Sequence, residues 1–324
     1  MADLTKIDAV LTWVNGNDPK LKAERVKYIT EEKEDRFEDI AGPQRFVQSN
    51  EIRFAVASIL RFAPYVKRIF IITDRQDPRL DEFIEKNFPG NRVPVVIVDH
   101  RSIFEGYEQY LPVFNSLAVE TMMWRIPDLS EEFIYMNDDF FFAAPSKKED
   151  LFRNGKVVCY SGTFPSALME VLRAVRLKKH HHKRFTYKDS LLNGAKMAGG
   201  RHFYYLPHEP YPIFKSVLEE YFTAHPESIE RNVRHRFRDK EQFNVQGFFF
   251  VLAESRGMLI HKPHKGVNLM IRKPKSLDYL KRKLEWADGQ SGLKYGCMNA
   301  LQEADEGEKK LFEYWIGKRL GIRL

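Results

Sequence analysis

Short, almost entirely apolar runs alternate with segments of helical spacing through the first half of the chain. Such runs are typical of parallel strands covered by helices on both faces, because neither side of the strand meets water. The strand-like runs are residues 7–14, 68–73, 93–98 and 133–136. The pattern predicts an α/β fold with a Rossmann-like, mostly parallel central sheet.

Helices are predicted between these strands. Ser49 or Asn50 can cap the first helix, and Pro64 ends it because proline cannot continue a helix. Two more apolar patterns predict helices over residues 80–88 and 115–126. Strands and helices therefore alternate, as a covered parallel sheet requires.

Polar side chains follow each of the four predicted strands. In chain order they are Asn15 and Asp18, then Asp74, then Asp99 and His100, then Asn137, Asp138 and Asp139. Any one set could be ordinary turn chemistry. In an open parallel sheet, however, the carboxyl ends of the strands meet at one edge, and ligands bind there. Together, the four sets predict a binding site at this edge.

Asp138 and Asp139 are adjacent carboxylates between the fourth strand and three phenylalanines. An unpaired buried carboxylate is costly, so such a pair is expected to hold a cation or to accept hydrogen bonds. A divalent metal beside a phosphate is one interpretation, and a cap or turn is the other. Neither a G-x-G-x-x-G sequence nor a Walker A sequence follows a strand, so a nucleotide is not expected on such loops.

The composition indicates a globular protein with a mildly basic surface. Its 324 residues include 52 Lys and Arg against 45 Asp and Glu, a net charge of +7. This balance suits an anionic substrate, a membrane surface or nucleic acid. Two cysteines form no disulfide framework, and neither a signal peptide nor an apolar run of spanning length is found. A cytoplasmic location is expected, with any membrane contact peripheral.

Residues 163–203 have the character of a basic, mainly helical insertion. Its apolar stripe is made of Leu168, Val171, Leu172 and Val175. The segment 170–184 adds a basic face and tail, which predicts either a solvated helix or a contact with anionic lipid or polymer. The consecutive histidines at 180–182 are not expected to converge on one metal ion.

Four segments, in order along the chain, carry a family resemblance: residues 7–19, 45–152, 208–238 and 294–299. They contain the sequences TWVNGNDP, SNEIR, YMNDD, HEPY, RFR and KYGCMN. These resemble the conserved blocks of the Stealth family of sugar-phosphate transferases. The family includes bacterial capsular polysaccharide phosphotransferases and the GlcNAc-1-phosphotransferase that marks lysosomal enzymes. Two positions differ: Asn15 stands where many bacterial members have Asp, and Ala300 stands where an acidic residue often follows.

The resemblance implies one catalytic domain over residues 1–324, nucleotide-sugar transferase-like in fold, with residues 163–203 inserted. It implies transfer of a hexose-1-phosphate, with GlcNAc-1-phosphate as first choice, from a UDP-sugar donor. The acceptor would be a hydroxyl of a poly- or oligosaccharide in capsule or cell-surface polysaccharide synthesis. The products would be a phosphodiester and UMP.

Phosphoryl transfer needs charge neutralisation, in-line positioning and a proton acceptor. Asp138 and Asp139 are expected to hold Mg²⁺ or Mn²⁺ against the pyrophosphate. His208 is expected to be the acid/base, and a covalent phosphohistidine is the less favoured alternative. Arg238, with Arg236 as the second choice, would bind phosphate oxygens through the planar guanidinium.

The remaining predicted contacts belong to the donor pocket. Trp13 is expected either to stack on uracil or to pack in the core. Asn137 is expected to orient a neighbouring Asp or to bind the nucleotide-sugar. The other predicted donor contacts are Asn15, Gly16, Asp18, Asp74 and Asn115. Asp8, inside the first strand, is expected to pair with an Arg such as Arg53 or to support the site.

Two other functions remain open at this stage. A GT-A-like, metal-dependent glycosyltransferase would use the same acidic pair but would release UDP. A binding module for nucleic acid or anionic polymer would use the basic insertion, but it leaves the acidic edge unexplained, so no nucleic acid partner is expected.

Overall fold

The computed structural model describes residues 6–29, 50–179, 185–263, 268–271, 276–299 and 301–324. Its largest sheet contains β1 (Ile7–Thr12), β2 (Val66–Thr73), β3 (Val95–Asp99), β4 (Glu132–Asn137) and β10 (Tyr211–Phe214). The spatial order is β10-β4-β1-β2-β3, with β10 antiparallel to β4 and the other pairs parallel. The predicted α/β fold with a mostly parallel central sheet is confirmed.

Helices connect the parallel strands, as expected. They are α1 (Pro19–Ile29), α2 (Glu51–Phe62), α3 (Asp81–Asn87), α4 (His100–Ile103) and α5 (Ser116–Met122). A 3₁₀ turn over Met123–Arg125 continues α5, so the helix predicted over residues 115–126 ends in a tighter turn. Asn50 has a left-handed φ of 64° and its side chain does not cap α2. Capping by Asn50 is therefore wrong, and Ser49 lies outside the described residues.

Strand burial follows each strand's place in the sheet. In the centrally placed β1, Ile7, Ala9 and Leu11 have no exposed surface. In the edge strand β3, Val96 and Ile97 are 36% and 40% exposed. The prediction that residues 93–98 form a buried strand is wrong, because β3 has a neighbour on one side only.

Asp8 is fully buried inside β1 and forms an ion pair across the sheet. Arg68 on β2 donates to both of its carboxylate oxygens, at 3.3 and 2.9 Å, and the Ser130 amide adds a bond of 2.8 Å. A buried charge is tolerated when it is paired and hydrogen-bonded. The partner is Arg68 rather than the expected Arg53, because the strand register sets Arg68 opposite Asp8.

The predicted insertion is a pair of helices on a two-stranded base. Strands β8 (Gly162–Pro165) and β9 (His202–Tyr205) pair antiparallel, with α6 (Ser166–Lys179) and α7 (Tyr187–Met197) between them. Its mainly helical character is confirmed. Residues 180–184, with the three histidines, lie outside the described residues, as do residues 45–49 and Ala300.

Two small three-stranded sheets complete the β structure. One contains β5 (Phe140–Phe142), β12 (Leu269–Ile271) and β13 (Tyr295–Met298), in the order β12-β13-β5. The other contains β6 (Phe152–Arg153), β7 (Lys156–Tyr160) and β11 (Leu259–Lys262), in the order β11-β7-β6. The first sheet lies at the carboxyl edge of the large sheet, because only two residues separate β5 from β4.

The later helices are α8 (Lys215–Ala224), α9 (Pro226–Val233), α10 (Val245–Ser255), α11 (Leu277–Asp288) and α12 (Glu306–Leu320). Within the described parts of the chain, we find no helix with both the length and the apolar character needed to cross a bilayer.

Candidate active site

The candidate site lies where β1 and β4 end side by side. Thr12 and Asn137 are register partners at the carboxyl ends of these strands. The Tyr135 hydroxyl lies 2.9 Å from Thr12 Oγ1 and 2.7 Å from Asn137 Oδ1. One phenol therefore connects the two strand ends at the edge where parallel sheets bind ligands.

Asp138 and Asp139, the acidic turn, connect β4 to β5. Burial raises the pKa of Asp139 to about 6, and the hydrogen bond from Cys297 opposes this rise. The Cys297 thiol lies 3.3 Å from Asp139 Oδ2. Asp139 Oδ1 is enclosed and has no hydrogen-bond partner among the described residues. Glu51 lines the same small concavity as the acidic turn.

His208 is held beside the acidic turn by aromatic contacts. It lies on the connection between β9 and β10, and its half-buried ring meets the ring of Phe140 edge-on at 5.3 Å. Phe140 directly follows Asp139 in the chain. On the insertion, Tyr187 stacks on His208 at 6.0 Å. These contacts bring a histidine from the second half of the chain to the end of β4.

Three tyrosines, Tyr135, Tyr187 and Tyr211, form a layer behind His208, which we call the tyrosine layer. Tyr135 and Tyr211 stack at 6.4 Å with an interplanar angle of 15°. Burial raises the pKa of each of the three phenols above its usual value, so their hydroxyls stay neutral and can donate hydrogen bonds.

Arg238 and Glu120 face this tyrosine layer from another side. Arg238 Nη2 donates to Ser116 Oγ at 3.3 Å. Burial lowers the pKa of Arg238, and the charge of Glu120 opposes this effect. Glu120, on α5, is 4% exposed, and its Oε1 accepts from Tyr135 at 3.1 Å. Its Oε2 has no hydrogen-bond partner in the part of the chain that the structure describes.

Glu120 was not predicted from the sequence. The available signal was an acidic residue within a helix whose neighbours Leu117, Ala118, Val119 and Met122 are all apolar. Buried acidic residues are uncommon unless they are paired. An acidic residue on the apolar face of a helix is therefore a candidate for a functional site.

Asn115 and Arg236 hold the loop that carries Arg238. Asn115 caps α5, and its Nδ2 donates to the His235 carbonyl at 2.8 Å while Gln242 donates to its Oδ1 at 3.1 Å. The Arg236 guanidinium lies 4.6 Å from the ring centre of Tyr28. These contacts position the loop that carries Arg238. The roles of Asn115 and Arg236 in donor binding stay predictions.

The acidic turn fits a divalent cation. Mg²⁺ is commonly bound by one or two carboxylates together with substrate phosphates and water, so two adjacent Asp side chains are sufficient protein ligands. The enclosed, unpartnered Oδ1 of Asp139 is an oxygen that a cation would satisfy. Among the described residues, His235, Asp239 and Glu241 also bring possible ligand atoms within 4.8 Å of one another. In that cluster the Arg234 guanidinium already pairs with Glu241, so the positive charge of Arg234 balances the carboxylate without a metal ion.

Residues 5–32 match conserved region 1 of Stealth proteins, and residues 45–159 match conserved region 2. The capsular polysaccharide phosphotransferase LcbA of Aeromonas hydrophila is 30% identical over 268 residues, which cover 78% of this chain and 67% of LcbA. The chain belongs to the Stealth family. The capsular polysaccharide phosphotransferase fcs1 of Haemophilus influenzae is 32% identical over 256 residues, covering 76% of this chain. The aligned part spans 65% of fcs1, so the chain covers about two-thirds of the length of these relatives.

A solved structure supports the fold of this Stealth protein. The bifunctional glycosyltransferase WbbM aligns with a TM-score of 0.50 at 10% identity, covering 98% of this chain and 50% of WbbM. At this identity the likeness concerns the fold alone. It agrees with the predicted nucleotide-sugar transferase-like architecture.

Conserved region 1 of the Stealth match contains the loop after β1. Trp13 is partly buried against the core, and its Nε1 has no partner among the described residues. Gln76 makes two hydrogen bonds to the backbone of Asn15, at 2.8 and 3.0 Å, which join the loops after β1 and β2. Gly16 is buried beside Asn15. Core packing of Trp13 is observed, while contacts of these residues with a donor stay predictions.

Two acidic residues on this side of the edge have structural partners. Asp18 accepts from the backbone amides of Lys20 and Leu21, and these bonds lower its pKa and cap α1. Asp74 forms an ion pair of 2.7 Å with Arg75. Sequence reasoning placed both in the donor pocket. That role stays a prediction beside the contacts they already make.

Proposed function

We propose that this Stealth protein transfers a hexose-1-phosphate from a UDP-sugar to a sugar hydroxyl. The first candidate for the transferred group is GlcNAc-1-phosphate. The reaction forms a phosphodiester and releases UMP, in capsule or cell-surface polysaccharide synthesis. One observation carries the proposal: His208, Arg238 and the acidic turn, from three separate segments, lie around one tyrosine layer at the carboxyl edge of the sheet. The names of the relatives, which are capsular polysaccharide phosphotransferases, agree with it.

The proposed step is attack by the acceptor oxygen on the β-phosphorus of the donor. A new O–P bond forms, and the bond from that phosphorus to the bridging oxygen breaks, so UMP leaves with the electron pair. The sugar keeps its C1–O bond. Neutral His208 takes the acceptor proton, as an imidazole can near neutral pH. A covalent phosphohistidine is a less favoured route.

Arg238 and the acidic turn would divide the donor's charge between them. Arg238 would donate two N–H groups to phosphate oxygens, and Glu120 would keep its guanidinium oriented through the tyrosine layer. Asp138 and Asp139 would hold Mg²⁺ or Mn²⁺. Such an ion, when bound, neutralises pyrophosphate charge. Asn137 would orient the acidic turn or contact the sugar.

The decisive experiment is a screen of UDP-sugars with saccharide acceptors in which UMP and UDP are separated. We expect stoichiometric UMP with UDP-GlcNAc as the first donor to test. Stoichiometric UDP would instead identify a GT-A-like glycosyltransferase. The fold likeness to WbbM makes this the second candidate.

The proposal includes a cytoplasmic location and a peripheral contact of residues 170–184 with the inner face of the membrane. Residues 180–184 lie outside the described residues, so the structural support comes from α6 alone. No nucleic acid partner is proposed, since the acidic turn would repel phosphate in the absence of a cation.

A further inference from the structure

Helix α6 presents the apolar stripe to solvent. Leu168, Val171, Leu172 and Val175 are 49%, 59%, 49% and 47% exposed. Their spacing places them in one line along the helix. Scattered exposed apolar residues are ordinary, but a contiguous line of them marks a surface that is covered in use.

The opposite side of α6 is attached to the protein. Met169 is 7% exposed, and Arg173 pairs with the fully buried Asp189 of α7 at 3.6 Å. Glu170 also bonds Lys196 of α7. Rotating α6 to bury the apolar stripe would break these contacts, so the stripe is presented outward by the fold.

The charge in the sequence of this segment favours one kind of partner. Residues 166–189 contain seven Lys and Arg against one Glu and one Asp, and that Asp is Asp189, the partner of Arg173. A second copy of the chain would bring like charges together across such a contact. An anionic polymer would leave the apolar side chains without an apolar partner. A bilayer of anionic phospholipid satisfies both features, because acyl chains accept the apolar residues and headgroups attract the basic ones.

We infer that the apolar stripe of α6 docks on an anionic phospholipid surface, with the helix lying in the plane of the headgroups. Tyr187 begins α7, which α6 contacts, and it stacks on His208 at 6.0 Å. Docking would therefore hold the candidate site beside the bilayer, where a lipid-anchored saccharide acceptor would meet it. The docking specifies the membrane contact named in the proposed function, and this orientation rests on that function. The docking itself does not depend on the proposed reaction.

Vesicle sedimentation tests the docking with the full chain. Vesicles of phosphatidylcholine with phosphatidylglycerol are compared with phosphatidylcholine alone. Replacing all four stripe residues by Gln should weaken binding to the anionic vesicles by about tenfold or more. The matched control replaces Val26, Leu277 and Tyr314 by Gln. These are 50%, 47% and 72% exposed on other helices, and the control should bind as the parent does.

Two results would overturn the inference. One is unchanged vesicle binding by the stripe variant, with circular dichroism showing an intact fold. The other is a parent protein that does not bind vesicles but is a dimer by light scattering, while the stripe variant is a monomer. That result would assign the apolar stripe to a second copy of the chain.

A site-specific probe gives an independent reading. The native Cys159 and Cys297 are buried at 3% and 0% exposure, so a cysteine introduced at Leu172→Cys can be labelled selectively with an environment-sensitive fluorophore. Anionic vesicles should shift its emission to the blue, and a label at Val26→Cys should not respond. Equal responses at both positions would contradict docking through α6.

UMP release with a soluble acceptor, measured without vesicles, separates this inference from the proposed function. The stripe variant should release UMP as the parent does. If the parent releases none yet binds vesicles through the apolar stripe, the proposed function fails and the docking inference stands.

Discussion

The two carboxylate oxygens of Asp139 have different surroundings. Oδ2 lies next to the Cys297 thiol, and Oδ1 is enclosed with no hydrogen-bond partner among the described residues. The bond from Cys297 restrains Oδ2, which leaves Oδ1 directed away from the thiol. Groups that hold a metal ligand commonly change metal affinity by 10- to 100-fold when they are removed. We therefore expect Cys297 to orient Asp139 within the acidic turn.

Cys297→Ala should weaken Mn²⁺ binding by about tenfold, and Cys297→Ser, which keeps a donor of similar size, should stay within about threefold of the parent. Electron paramagnetic resonance of free Mn²⁺ during titration measures this without turnover. If the Ala and Ser variants bind Mn²⁺ with the same affinity, the hydrogen bond from residue 297 has no effect and the thiol only fills space. A parent that binds no Mn²⁺ would remove the metal assignment itself.

His208→Ala should lower kcat by about 10²- to 10⁴-fold, the usual effect of losing an acid/base group. Donor affinity, measured by calorimetry, should change little, because His208 is proposed to act on the acceptor proton. His225→Ala is a suitable control, since His225 is an exposed histidine at the start of α9. Parallel losses of kcat and donor affinity would indicate that His208 is structural.

At the scale of elements, β13 holds the acidic turn in place by pairing with β5. The Met298 amide donates to the Asp139 carbonyl at 3.1 Å, and Gly296 lies against the ring of Phe141. A Cβ added at Gly296 would stand 2.3 Å from Phe141 Cζ, closer than atoms can approach. The glycine in KYGCMN is therefore needed for the close packing of these strands.

Gly296→Ala should destabilise the protein by about 1–3 kcal/mol, the range for overpacking a core, measured by urea unfolding. Gly162→Ala on β8 is the control, because a Cβ there meets nothing within 4 Å. Equal stability of the two variants would show that Phe141 can move aside freely.

The connection from β9 to β10 contains Glu209, a buried carboxyl group next to His208. Burial raises its pKa from 4.5 to about 8, and the hydrogen bond from Asn268 at 2.8 Å opposes the rise. Since its pKa is higher in the folded protein than in the unfolded chain, its contribution to stability is full below about pH 4.5. It is lost as the pH rises to about 8.

Glu209→Gln should remove this pH dependence. The variant should gain stability relative to the parent as the pH rises from about 5 to about 8.5, because an amide has no proton to lose. Thermal unfolding of both proteins over this range measures the difference. A difference that is independent of pH would mean that Glu209 is ionised throughout.

At the scale of the whole molecule, a cation that binds only the folded protein should stabilise it. At 100 times its dissociation constant, Mn²⁺ should add about 2.7 kcal/mol to the free energy of unfolding. A rise in Tm with added Mn²⁺, reversed by chelation and absent in Asp139→Asn, would locate the ion at the acidic turn. A rise of the same size in Asp139→Asn would place the ion elsewhere.

The local pattern of the sequence was enough to predict the four parallel strands of the large sheet, three of the helices between them, and the position of Asp138 and Asp139 at a strand end. These features depend on apolar periodicity and on turn residues, which act over a few neighbouring positions. The same reasoning mistook β3 for a buried strand and chose Arg53 for Asp8. Strand order and register depend on residues far apart in the chain, so the sequence pattern does not contain them.

The tertiary structure alone decided which side chains meet at the site. Glu120 reaches Tyr135, Cys297 reaches the acidic turn and Tyr187 reaches His208, all from separate elements that no spacing in the chain connects. The same holds for α6: helical spacing predicted the apolar stripe, but the contacts of Met169 and Arg173 decided that it faces solvent. Periodicity shows that a helix has an apolar face, whereas packing against the rest of the chain determines which face is buried.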